Sequence, residues 1–272
     1  MKKMFLPFFI IVTIFIGSVF IKQPKNYRDW ENGFERLSSA EFISNSTIKI
    51  NNIRNWQYQD DHVISANYVD ETYDLDYITR VWFLVEPFSK WHAVAHTYFV
   101  FDFTDKEPVA FSIEARREKK ENYSPLKGLF NSYELYYSWG TEHDFTGRRA
   151  YKDGETVYMY PLKLSKDRMM NLFTQVAYET NRLAKSPRFY NTFTSNCTSE
   201  LAKVVWEANP HAIPWYSPYI LPGYSDFYLY DWGYIDTSVQ KEKLHETYNI
   251  THTVTMFYQE GFSDNIFLFL IR

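Results

Sequence analysis

Cysteine is nearly absent: Cys197 is the only one in 272 residues. That excludes an intramolecular disulfide, and it excludes a thiolate cluster around a metal. Excess positive charge is missing too. The net charge is −4, which argues against a nucleic-acid surface. No internal repeat or low-complexity run is found, and neither Ser112 nor Ser195 lies in a Gly-x-Ser-x-Gly elbow. No Leu-x-x-Cys lipobox stands near the N-terminus, so the chain is not expected to be a lipoprotein itself.

Long uncharged stretches are scarce as well. One stands out, residues 4–21, between Lys2-Lys3 and Lys22. Its length sits at the short end of the range for a spanning helix. A cleaved signal peptide is the competing reading, but Gly17-Ser18 is a poor small-x-small cleavage site. The expectation is an uncleaved single-pass anchor, with Lys2 and Lys3 left in the cytoplasm and the rest translocated. Residues 1–22 are assigned to this anchor or signal, and 23–52 to a juxtamembrane linker with a short helix near 34–42. Residues 53–272 form one domain with room for a proper core.

Aromatic side chains are plentiful, with 23 Tyr, 23 Phe and 8 Trp. Core and strand packing accounts for most of them, while Tyr and Trp also suit a membrane boundary. Alternating patterns predict strands over 81–88, 95–103, 109–117, 133–139 and 156–162, with loops at 59–61 and 68–76. A helix is predicted over 165–183, capped by Ser165 and followed by Pro187. A second begins at Cys197, with Asn196 as N-cap and Leu201, Val204, Val205 and Ala208 as its buried stripe. The prolines and glycines of 210–235 predict an ordered aromatic loop, and the tail reads as one or two strands.

A thiol at a helix start meets free backbone N–H groups and the positive end of the helix dipole, and both favour thiolate. To act as a nucleophile it needs a base, and the base needs an orienting group. The 95–117 hairpin offers both. Pairing Phe103 with Val109 would set His96 opposite Arg116 and Tyr98 opposite Glu114, gathering His96, Glu114 and Arg116 into one polar cluster. Arg116 then serves either as a partner for Glu114 or as an anchor for a phosphate head group. A buried structural cysteine in a binding module is the alternative. His92 and His96 would stand about 13 Å apart on a strand, too far to share a metal. No metal and no cofactor are expected.

Several spaced motifs occur in order: Tyr73-Asp74-Leu75, Ala95-His96-Thr97-Tyr98-Phe99, Ser112-Ile113-Glu114-Ala115-Arg116, Tyr123-Ser124-Pro125 with Gly128-Leu129-Phe130, and Phe189-Tyr190-Asn191 leading into Asn196-Cys197-Thr198. In these the chain resembles the Lnb N-terminal periplasmic domain family, over roughly residues 55–236. The resemblance implies an α+β, circularly permuted papain-like fold in which a histidine on a strand precedes the cysteine on a helix. Lecithin–retinol acyltransferases and permuted NlpC-type hydrolases share that order. It places the protein in a bacterial inner membrane with its bulk in the periplasm. It also links the protein to N-acylation of lipoproteins, with a phospholipid as acyl donor. Carried over by motif, Cys197 is the nucleophile, His96 the base and Glu114 the polar residue beside it. Arg116, Tyr98 and Asn196 are expected to contact substrate. The larger acyltransferases of this kind have further membrane segments, whereas this chain has one candidate anchor. A thiol amidase or peptidase acting on cell-wall peptide is the second enzymatic reading.

Overall fold

Eight strands build one sheet: β1 (Ser39–Phe42), β2 (Thr47–Gln59), β3 (His62–Asp74), β4 (Ile78–Pro87), β5 (Ala95–Phe103), β6 (Val109–Arg116), β7 (Glu134–Thr141) and β8 (Tyr158–Pro161). The computed structural model describes residues 22–91, 93–214 and 221–270. The strand order is β1-β2-β7-β6-β5-β4-β8, with β3 paired to β2 off this path. Pairing is antiparallel except between β2 and β7, which run parallel at Arg54 and Gly140. The helices are α1 (Glu142–Gly147), α2 (Lys166–Lys185), α3 (Cys197–Ala208), α4 (Ser225–Asp231), α5 (Leu244–Thr247), α6 (Thr251–Phe257) and α7 (Ser263–Leu270).

Alternation along the strands feeds two cores. On one face Phe83, Phe99, Phe101 and Phe111 pack with Phe173 of α2 and Leu201 of α3. On the other, Trp82, Leu84, Tyr98 and Val100 meet Phe145 of α1, Val254 of α6 and Ile266 of α7. Strands covered on both faces carry nearly unbroken apolar runs, as β4 and β5 do. α1 is locked down by a buried fork. Arg54 Nε and Nη2 donate to Asp144 Oδ2 and Oδ1 at 2.8 and 2.9 Å, and Tyr58 Oη donates to Oδ1 at 2.7 Å. Gly140 of β7 lets the Phe145 ring lie on the sheet, because a Cβ there would fall 2.0 Å from Phe145 Cε1.

The predicted strands and the two predicted helices are present, with small shifts at their ends. Several other expectations are corrected. Residues 68–74 are not loop but the second half of β3, which pairs with β2 in a long hairpin turning at Asp60, where φ is +53°. Part of 23–52 is not linker: β1 and the first residues of β2 lie in the sheet, and Trp30 and Phe34 are buried against Tyr136. No helix forms near 34–42. The 210–235 stretch contains α4, and the tail is helical rather than stranded. Its buried residues Ile250, Val254, Tyr258, Phe262 and Ile266 recur every fourth position, which is a helical stripe. Among the described residues no helix is long and apolar enough to cross a membrane. The anchor expected at 1–22 lies outside them, apart from Lys22.

Candidate active site

Three neighbouring strands set a row of ionisable side chains across the sheet. Glu86 of β4 pairs with His96 of β5, and Tyr98 pairs with Ser112 of β6. Carried two residues on, that register puts His96 opposite Glu114. The hairpin register therefore differs by two residues from the expected one. Phe101, not Phe103, pairs with Val109, because β5 beyond Phe101 remains paired to β4 alone.

The consequence is a direct contact between base and carboxylate. His96 Nε2 stands 2.7 Å from Ser112 Oγ, which donates to Glu114 Oε1 at 2.7 Å, and Nε2 is itself 3.2 Å from Glu114 Oε1. Arg149, in the wide helical turn that follows α1, closes the row. Its Nη2 donates to Glu114 Oε1 at 2.8 Å, its Nε to Glu86 Oε2 at 2.5 Å, and its Nη1 to the Phe145 carbonyl at 2.9 Å. With Nε2 engaged by Ser112 and Glu114, Nδ1 is the ring nitrogen left to serve the thiol.

Cys197 is the first residue of α3 and is 4 % exposed. Asn196 fixes the helix start through a reciprocal cap: Ser199 N donates to Asn196 Oδ1 at 2.9 Å, and Asn196 N donates to Ser199 Oγ at 2.8 Å. The Glu200 N–H goes to the Asn196 carbonyl. Among the described residues this leaves the N–H groups of Cys197 and Thr198 as the open donors of the first turn. Sγ lies 3.9 Å from the Ala95 carbonyl and 3.9 Å from Thr198 Oγ1, and its side chain also interacts with that of His96. Thr97 and Thr198 hydroxyls, 2.9 Å apart, tie β5 to α3 at this point.

Electrostatics favour an ion pair. Burial pushes the Cys197 thiol up, but the His96 charge and hydrogen bond, the Thr97 N–H and the Thr198 hydroxyl outweigh it and hold the thiol below its ordinary value. Burial likewise opposes charge on His96, yet Glu114 and Cys197 raise the imidazole well above its usual range. Glu114 is also resisted by burial, and His96, Arg149 and Ser112 hold it well below the usual carboxylate range. Both shifts act in the direction of a thiolate beside an imidazolium.

Thr198 also lines an apolar cleft between the sheet and the helices. It has a volume of about 80 Å³ and is lined mainly by carbon, including Phe83 and Phe99 of the sheet, Leu201 and Val205 of α3, Leu172 of α2 and Leu229 of α4.

The structure thus brings together Cys197, His96 and Glu114. It does not bring Arg116 to them. That guanidinium is buried at the far side of Glu114, where its nitrogens donate to the carbonyls of Phe34, Glu35 and Asn26 and it lies over the Trp30 ring. Tyr98 is fully buried, stacked on His96 with its hydroxyl 3.2 Å from Thr146 Oγ1. Asn196 spends its side chain on the helix cap and on the Thr192 carbonyl. Tyr98 and Asn196 thus pack beside His96 and cap the Cys197 helix, while Arg116 holds the 26–35 segment. Three contributors were not expected: Ser112 as the link, and Arg149 and Glu86 as the clamp. Glu86 did carry a signal, being the only charge within the apolar run of β4, where burial demands a partner.

The sequence profile of the Lnb N-terminal periplasmic domain family matches residues 65–221, more than half of the chain and a span holding His96, Ser112, Glu114, Arg149 and Cys197. The chain belongs to that family. No curated protein and no solved structure matches it. The bulk of this Lnb-family chain is accordingly a mixed α+β periplasmic domain of the cell envelope.

Proposed function

We propose that the domain is a thiol acyltransferase of permuted papain-like architecture, which moves an acyl chain from a phospholipid to the N-terminal amine of a lipoprotein. The observation that carries this reading is the carbon-lined cleft that Thr198, the chain neighbour of the polarised Cys197, helps to line. A peptide hydrolase would present a polar groove there, whereas a hydrocarbon chain needs carbon-lined walls.

In the first half-reaction the Cys197 thiolate attacks the ester carbonyl of the phospholipid. The tetrahedral oxyanion is held by the open N–H groups of Cys197 and Thr198. The imidazolium of His96 gives its proton to the departing alkoxide, releasing lysophospholipid and leaving a Cys197 thioester. In the second, the neutral α-amine of the acceptor attacks the thioester and His96 accepts its proton. Collapse yields the amide and restores thiolate and imidazolium. Ser112 and Glu114 keep the imidazole ring oriented through both halves.

Mass spectrometry of lipoprotein N-termini from cells with and without the gene tests this. Loss of N-acyl peptides on deletion, restored by the wild-type protein and not by Cys197→Ser, is expected. Unchanged acylation in the deletion, or full complementation by Cys197→Ser, sinks the proposal.

A further inference from the structure

Four loops meet at the end of the sheet that holds Cys197: residues 88–91 with 93–94, 122–132, 189–195 and 221–224. They are tied to one another. Phe88 packs edge-on against Tyr123, with ring centres 6.2 Å apart, and the Gly223 N–H donates to the Ala93 carbonyl at 3.2 Å. Thr192 Oγ1 donates to the Pro125 carbonyl at 2.7 Å, and the Tyr123 and Tyr190 hydroxyls are 3.1 Å apart. From this ring of loops large apolar side chains point into solvent: Trp91 is 77 % exposed, Leu126 67 % and Phe193 64 %, with Phe88 and Leu221 also exposed.

Charge follows the same outline. The chain has 33 acidic residues, yet none falls in 88–94, 122–132, 189–195 or 221–224, while Lys90 and Lys127 stand exposed there. The described chain also enters at this rim. Lys22 Nζ donates to the Asn131 carbonyl at 3.5 Å and the Lys25 N–H to Glu134 Oε1 at 3.2 Å, which seats the start of the described chain beside these loops.

Exposed aromatic and aliphatic tips, flanking lysines and the exclusion of carboxylates are the features of a surface that sits in a phospholipid interface. We propose that this rim docks onto an anionic phospholipid bilayer, so that the end of the sheet holding Cys197 faces the lipid surface. The inference stands on the rim itself. It deepens the acyltransferase reading by bringing the ester donor to the thiol without its leaving the membrane, and it can be tested apart from it.

The test uses the full chain in vesicles of phosphatidylethanolamine and phosphatidylglycerol, carrying Cys197→Ser so that no thiol chemistry contributes. Single cysteines for an environment-sensitive fluorophore replace one exposed residue at a time: Trp91→Cys, Leu126→Cys and Phe193→Cys on the rim, and Ile64→Cys on the β2–β3 hairpin as reference. Docking predicts blue-shifted emission and at least twofold stronger quenching by doxyl-labelled lipid at the three rim positions than at Ile64→Cys. Rim labels quenched no more than the reference overturn the proposal and assign the rim to a protein partner. Because the variant lacks the thiol, docking can hold while the acyl-transfer reading fails, or fail while lipoprotein acylation depends on Cys197.

Discussion

Burial alone would leave Cys197 a neutral thiol and His96 a neutral imidazole, so their charges depend on each other and on Glu114. Removing the Glu114 charge should therefore move both titrations together. In Glu114→Gln the imidazole falls toward its ordinary value and, with less positive charge beside it, the thiol rises. Alkylation follows the thiolate, which forms as pH climbs through the thiol pKa, so the rate–pH profile for iodoacetamide should shift to higher pH. A shift of one unit would slow labelling about tenfold below the midpoint. Ser112→Ala should shift it less, since Glu114 Oε1 remains 3.2 Å from His96 Nε2. A Glu114→Gln profile that coincides with wild type would mean the carboxylate does not govern the pair.

α1 and the turn after it matter because they carry Arg149, and their seat on the sheet depends on Gly140. A methyl group there meets the Phe145 ring, and the Phe145 carbonyl accepts from Arg149. Gly140→Ala should cost about 1–3 kcal/mol by overpacking, read as a lower urea midpoint, and should also change the Cys197 alkylation profile by disturbing the clamp. Destabilisation with an unaltered profile would separate the clamp from the helix that presents it. This arrangement was hard to read in the sequence, because Arg149 meets Glu86 and Glu114 only through the fold. By contrast β5, α2 and α3 are legible, since a short aromatic-rich run ending at turn residues and the caps Ser165 and Asn196 are local signals. The hairpin parity correctly put His96 and Glu114 on one face. Its register failed by two residues because the competing pairing with β4 is not encoded in the hairpin itself. The tail imitates a strand because Met256 falls between Val254 and Tyr258 and turns part of its four-residue stripe into an apolar alternation.

Dependence of stability on pH belongs to the whole molecule, and two glutamates, Glu114 half-buried and Glu142 buried, act on it in opposite directions. Glu114 is held below the usual carboxylate range, so its contribution is present above the open-chain value and is lost as pH falls through the folded one. Glu142 behaves in the reverse sense. It is 1 % exposed and forms no ion pair among the described residues. Burial pushes its carboxyl up to about 8, with Asp102 and Glu107 adding to the rise. The fold thus favours the neutral acid, whose stabilisation is complete below the open-chain pKa of about 4.3. Between that value and pH 8 the folded state holds a proton that the open chain has released, so stability declines by about 1.4 kcal/mol per pH unit from this group alone. Glu142→Gln keeps the shape and removes the titration. Urea unfolding of the variant between pH 5 and 8 should show a flatter dependence on pH than wild type, with the gap between them widening toward pH 8. Parallel curves for the two proteins would mean that Glu142 is ionised in the folded state across this range and that its cost is met by groups other than those packed around it.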